Sequence, residues 1–133
     1  MTGSLSLAVR AREDVLWAKQ EAKRFAATMP FSPDDLARIE IALSELASNM
    51  IKHAGGGRLI IQRIQRDNRE GVLIIAKDHG PGIPDLGAAL KAGFSTAGSL
   101  GVGLSGIHEH MDKVEIESRP GQGTCVEAEK WVR

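Results

Sequence analysis

Glu45 and Asn49 stand four residues apart in the run PDDLARIEIALSELASNMIKHA (33–54), a spacing that puts both on one face of a helix. An Asn oxygen can ligate Mg2+, which prefers oxygen ligands and substrate phosphates. A nearby carboxylate can orient or deprotonate a nucleophile. Lys52 and His53, one turn on, could help neutralise phosphate, although a His in the last turn of a helix also serves its dipole. A second group, Asp78-His79-Gly80-Pro81-Gly82, follows an apolar run directly. A carboxylate at a strand end can accept a hydrogen bond from an exocyclic amine such as adenine N6, and the two glycines let backbone approach a flat ring. The bland alternative is that Asp78 only caps a turn. A third group, Gly101-Val102-Gly103-Leu104, opens a helical pattern, where free backbone N–H groups bind phosphate oxygens. The stretch 78–106 holds eight of the fifteen glycines, and its middle, rich in Gly, Ala, Ser and Thr, suits a flexible lid over about 87–100.

Positioning these residues takes a particular order of elements. SLSLAVRA (4–11) alternates as a half-buried strand does. EDVLWAKQEAKRFAATM (13–29) places Val15, Leu16, Ala22, Phe25 and Ala26 at helical spacing, and its KQEAKR run reads as a solvated face. Ser32 is a candidate N-cap for the longest helix, with Pro33 at its first position and Asp34 and Asp35 in its first turn. Leu36, Ile39, Leu43, Leu46 and Met50 form its apolar stripe, widened by Ala42 and Ala47. Glycines 55–57 stop it. RLIIQRIQ (58–65) and GVLIIAKD (71–78) predict a hairpin. GLSGIHEHMDK (103–113) predicts a helix, and VEIESRP (114–120) and TCVEAEKWV (124–132) two more strands. Strands do not alternate regularly with helices. The expected class is α+β, a two-layer sandwich with a mixed, mostly antiparallel sheet and helices on one face.

Other chemistries fail on context. GVGLSG (101–106) has the G-x-G-x-x-G spacing, but no convincing strand precedes it and the acidic residues that follow, Glu115 and Glu117, come too soon for a dinucleotide site. No Walker-type phosphate loop is present. His108 and His110, two apart on a helix, point in different directions and make a poor metal pair. Trp17 and Trp131 read as packing residues.

Composition narrows the setting. The 133 residues fit one domain, 1–133. Lys plus Arg equals Asp plus Glu at 17 each, which argues against nucleic acid or a membrane surface as partner. The single cysteine, Cys125, can form neither an internal disulfide nor a Cys-based zinc site; it reads as buried and inert, and the chain fits the reducing cytoplasm. The N-terminal stretch has charges early and no long apolar run, so neither signal peptide nor anchor is expected.

E-L-A-S-N at 45–49, D-H-G-P-G at 78–82, G-V-G-L at 101–104 and G-T at 123–124 resemble, in order, the four motif boxes of the GHKL ATPase superfamily, whose ATP site is the Bergerat fold. Across its length the chain is similar to the small serine kinases that act as anti-sigma factors or stressosome partner switches. ALSELASNM, DHGPGIPD, GFSTAGSLGVGLSG and the closing EKWVR carry that likeness. The resemblance implies ATP and Mg2+ as cofactors. It implies Glu45 as general base, Asn49 as Mg2+ ligand, Asp78 as adenine acceptor with Gly80 and Gly82 lining the base pocket, Gly101 and Gly103 at the phosphates, and Thr124 near Asp78 and adenine. It also implies a STAS-domain protein as substrate and a PP2C-type phosphatase as the partner of the released kinase, with a sigma factor as a further candidate. The rival reading is a binding module whose main role is sequestration. A histidine-kinase catalytic domain is disfavoured, because no phosphoacceptor helix precedes the motifs.

Overall fold

The computed structural model describes residues 3–79, 106–119 and 121–133. Five strands form one sheet: β1 (Ser4–Val9), β2 (Gly57–Arg66), β3 (Arg69–Lys77), β4 (Lys113–Arg119) and β5 (Gly123–Trp131), in the spatial order β1-β2-β3-β5-β4. All four pairings are antiparallel. Two helices, α1 (Arg12–Ala26) and α2 (Pro33–Ala54), pack on one face. This is the expected α+β sandwich with helices on one side.

Local chemistry sets the boundaries. Asp14 accepts hydrogen bonds from the N–H groups of Arg10 and Ala11, at 2.8 and 3.1 Å, and so satisfies donors at the start of α1. Ser32 Oγ accepts from Asp35 N–H at 3.1 Å, and Pro33 follows it, so the expected cap of α2 is in place. Between β2 and β3, Asp67 and Asn68 both have positive φ, 53° and 65°. That is the two-residue hairpin turn whose twist matches the strands it joins.

The period-2 pattern of the strands puts Leu7, Val9, Leu59, Ile61, Val72, Ile74, Ala76, Val126 and Ala128 against the helices. The helices reply with Ile39, Leu43, Leu46 and Met50 from α2, as its stripe predicts. On α1 the buried row is Ala18, Ala22 and Ala26. Of the expected stripe, Ala22 and Ala26 are buried and Val15 and Phe25 pack against the core, but Leu16 is 60% exposed, and Trp17, expected to pack, is 44% exposed. Ala42 and Ala47 on α2 are buried as well. Trp131 does pack: it is buried, with the Arg66 and Arg69 guanidinium groups 5.2 and 5.5 Å from its ring centroid.

The helix expected over 103–113 is helical in its described part over 106–110, and the chain turns at Met111 and Asp112 into β4. The turn has a physical cause. Asp112 N–H donates to the Glu129 carbonyl at 2.8 Å, and the Asp112 carboxylate accepts from Trp131 N–H at 2.8 Å. Strand pairing therefore captures the chain before the helix can continue. Beside it, Lys130 is buried, its Nζ 3.5 Å from Asp35 and 3.8 Å from Asp112, and it donates to the His110 carbonyl at 2.9 Å.

Removing Lys130 would leave Asp35 and Asp112 with only the more exposed Arg133 as cationic partner among the described residues, and truncating one member of a buried ion pair costs up to about 3–5 kcal/mol. Lys130→Ala should therefore lower the unfolding free energy by roughly that much in urea titrations. Arg24→Ala, at the exposed Arg24–Glu21 pair, should change it little. Equal effects from the two would mean that the Lys130 cluster does not hold the fold.

Candidate active site

Four element ends meet at one end of the sheet. Gly55, left-handed at φ 74°, closes α2, with its N–H and that of Gly56 bonding back to the carbonyls of Ile51 and Met50. β2 starts two residues later, so the last turns of α2 and the first residue of β2 share that end. Register does the rest: Arg58 pairs with Lys77, and Lys77 with Cys125. Asp78, just beyond β3, is thereby placed opposite Thr124. Asp78 N–H donates to the Thr124 carbonyl at 3.0 Å, and Thr124 N–H donates to Asp78 Oδ1 at 3.2 Å. The Thr124 hydroxyl lies 3.0 Å from Ser118 Oγ on β4. A carboxylate has roughly four acceptor positions, so a bond to the fold is compatible with another to an amine of a ligand.

Two glycines let this junction close. Gly123 sits at φ +96°, and a Cβ there would overlap the Asp78 backbone. A Cβ on Gly57 would overlap the Lys77 carbonyl and come 2.7 Å from Met50 Sδ and 3.2 Å from Asp78 Cβ. The second contact also locates the helix: Met50, next to Asn49, reaches the same point as Asp78. Gly57 was read from the sequence only as part of a helix stop. Its signal as a site residue is tertiary, because nothing local shows which strand end will lie beside it.

Along α2, Glu45, Asn49 and His53 recur every four residues, each half-buried. Each step is about 6 Å of rise with a turn of about 40°, so the three make a shallow row descending toward the Asp78 end. Lys52 is exposed. Among the described residues, His53 Nε2 is out of contact with solvent and has no hydrogen-bond partner. An unsatisfied buried nitrogen costs roughly 1–3 kcal/mol, so the position favours a ligand that supplies a partner.

Beside Asp78 and Thr124 opens a cleft of ≈ 250 Å³, lined also by Lys77, Ser118, Gly123 and Cys125. That is below the roughly 300 Å³ at which pockets for drug-sized ligands begin, and it suits a group of heterocycle size. Cys125 is half-buried at its wall. Burial first, and the Glu127 carboxylate second, push its thiol pKa up. The structure thus pairs Asp78 with Thr124 at the strand ends and sets Glu45 and Asn49 on one face of α2. Gly80, Gly82, Gly101, Gly103 and the lid expected over 87–100 lie outside the described residues.

A five-stranded antiparallel sheet with helices on one face, and an Asp–Thr pair at the strand ends beside an E-x-x-x-N helix, defines an ATPase domain of the histidine kinase type. The family model for the histidine kinase-like ATPase domain matches residues 10–130, and the chain belongs to that family. Within it, the chain is 42% identical over 120 residues to the serine/threonine-protein kinase RsbT of Bacillus subtilis (strain 168), covering 90% of each chain. It is 32% identical over 122 residues to the anti-sigma F factor of Caldanaerobacter subterraneus subsp. tengcongensis, covering 87% of this chain and 84% of that one. Among solved structures, the mycobacterial sensor histidine kinase MprB shares the fold, with a TM-score of 0.59 at 16% identity over 100% of this chain and 99% of that one.

The raised thiol pKa has a direct consequence. At a given pH less thiolate is present than in a free cysteine, and the thiolate is the reactive form. Alkylation of Cys125 by iodoacetamide near pH 8 should be slower than that of a free thiol and should rise only at more alkaline pH. A rate matching free cysteine across that range would contradict the burial of its wall position.

Proposed function

We propose that this chain is an ATP- and Mg2+-dependent protein serine/threonine kinase, with 1–133 as its catalytic domain, that works in a cytoplasmic partner-switching pathway. Its substrate is a serine or threonine of a STAS-domain protein, and the released kinase binds and activates a PP2C-type phosphatase. The observation that carries the reading is the Asp78–Thr124 pair at the end of the sheet where α2, the helix that bears Glu45, Asn49 and His53, also ends. The kinship with RsbT supports the reaction class.

The residues present fit a nucleotide. The cleft at Asp78 has the size of a base and offers a fixed carboxylate to an exocyclic amine, with Gly80 and Gly82 following in sequence. His53 Nε2, buried and unpartnered among the described residues, would be satisfied by a phosphate oxygen. Gly101 and Gly103 are assigned to the phosphates on their motif. Asn49 would hold Mg2+. Among the described residues no three His, Cys, Asp or Glu side chains converge on one point, so a cation here depends on phosphate oxygens for its remaining ligands, as Mg2+ commonly does. When bound, Mg-ATP supplies the phosphoryl group and the charge neutralisation.

The chain's own contribution is then positioning. Asp78 and Thr124 fix the base end and Asn49 the phosphate end. Glu45, one turn before Asn49 on the same face, orients the incoming hydroxyl and accepts its proton. Phosphoryl transfer depends chiefly on such placement and on stabilising charge.

The test is transfer of label from ATP to candidate STAS-domain proteins. Acid-stable label on one of them, reduced about 10²–10⁴-fold by Glu45→Ala with ATP binding kept, is the expected result. Label surviving at near wild-type rate in Glu45→Ala would remove the base assignment. ATP binding with no acceptor labelled would favour a sequestering module instead.

The α2 row makes two further predictions. Asn49→Ala should abolish Mg-ATP binding, and an unchanged affinity would remove the metal role. His53→Ala should weaken ATP roughly tenfold; an unchanged affinity would place His53 outside the nucleotide site.

A further inference from the structure

Two hydroxyl groups meet beside the Asp78–Thr124 pair. In the register of β4 with β5, Ser118 stands directly opposite Thr124, and Ser118 Oγ lies 3.0 Å from Thr124 Oγ1. Such hydroxyl pairs are an ordinary cross-strand contact. A second contact gives this one a direction. Ser118 Oγ also lies 3.3 Å from the Gly123 carbonyl. A carbonyl can only accept, so Ser118 is the donor there, and a hydroxyl has one proton to give. The contact between the two hydroxyls therefore takes its proton from Thr124. That leaves Thr124 Oγ1 with acceptor capacity alone, next to the Asp78 carboxylate, which accepts from Thr124 N–H at 3.2 Å. Asp78, Ser118 and Thr124 all line the same cleft of ≈ 250 Å³. Thr124 is β-branched and its backbone is tied to Asp78 by two hydrogen bonds, so its side chain has little rotational freedom.

We propose that Ser118 is a positioning residue for base recognition: by taking the Thr124 hydroxyl proton it makes Thr124 an acceptor, so that the cleft selects an exocyclic amine over a carbonyl. The inference rests on the nucleotide site proposed above and names what selects the base there. An exocyclic amine has two N–H groups, one for each acceptor. A carbonyl oxygen in the same place would face two acceptors and meet no proton from either. A site built to receive N–H groups rejects an analogue that lacks them, because its own polar groups are left unpaired. Without Ser118 the Thr124 proton is free to turn into the cleft, and a carbonyl there gains a donor. ATP and ITP make the closest pair for comparison. Their bases differ in the amine or carbonyl at position 6 and in the proton that N1 then carries.

The experiment is calorimetric titration of Mg-ATP and Mg-ITP into the wild-type chain, Ser118→Ala, Ser118→Thr, Thr124→Val and the double variant of Ser118→Ala with Thr124→Val, each first checked for folding by urea denaturation. The wild-type chain should prefer ATP. Ser118→Ala should lower the ratio of ATP to ITP affinity about fivefold, the size of one ordinary hydrogen bond, chiefly by strengthening ITP. Ser118→Thr keeps a hydroxyl and should restore the wild-type ratio. In Thr124→Val no hydroxyl proton remains to be directed, so adding Ser118→Ala should leave the ratio where it is; the double-mutant cycle then reports the coupling of the two residues. A Ser118 that served only packing would weaken both nucleotides alike. An unchanged ratio in Ser118→Ala, or the same fall with and without the Thr124 hydroxyl, would overturn the positioning role. Equal binding of ATP and ITP by the wild-type chain would overturn it as well, while leaving a nucleotide site in place. A wild-type chain that binds neither ligand would instead sink the nucleotide reading on which the inference rests.

Discussion

The junction at Asp78 is the contact on which the proposed site depends. Asp78, at the end of a central strand, is held to the backbone of Thr124 by two hydrogen bonds, its N–H donating to the Thr124 carbonyl and its carboxylate accepting from the Thr124 N–H. The approach is possible because neither Gly57 nor Gly123 has a Cβ to keep the strand ends apart. The same closeness brings Met50, and with it the Asn49 turn of α2, to Asp78. A methyl group at either glycine would push out the carboxylate, the strand start or the helix end. Interiors packed to near-crystalline density have little slack to absorb such a displacement.

The opposite end of the molecule solves a different problem. There α2 begins, β5 ends and the helical residues 106–110 stop. Each of these leaves polar groups that must be satisfied. Ser32 caps α2, and Lys130 and Arg38 take the last carbonyls of the helical segment. Asp35 and Asp112 balance the buried ammonium. A charge this deep is tolerated only when paired, and here the pairing also joins three elements that would otherwise meet only through apolar contacts. The two ends divide the labour: one fastens the frame and the other holds the residues of the proposed site.

Much of the frame was legible in the chain. The apolar, β-branched runs 58–65 and 71–78, with turn residues between, predicted the β2–β3 hairpin, and Ser32-Pro33 the start of α2. Those signals are local, set by backbone dihedrals, caps and period. On α1 the stripe held at Ala22 and Ala26, which are buried, and at Val15 and Phe25, which pack against the core; it missed Ala18, which is buried, and wrongly included Leu16, which is exposed, because a large apolar side chain draws the reading away from a neighbouring alanine. The helix before β4 was read too long because its stop is no local breaker. It is the capture of Asp112 by Glu129 and Trp131 from a strand eighteen or so residues further on.

By itself the sequence determined the element types, the α+β class, and the site residues that share one element: Glu45 with Asn49, four apart on a helix. It also carried the motif order that marks the ATPase family. The tertiary structure alone decided that Asp78 lies opposite Thr124, that Gly57 and Gly123 make room for it, that His53 Nε2 is buried without a partner among the described residues, and that Asp35, Asp112 and Lys130 form one cluster. The reason is range. Helical and strand periodicities act over a few residues and are written in neighbouring side chains. A strand register or a buried ion pair joins residues dozens of positions apart, and it is fixed only when the packing of the whole core selects one alignment.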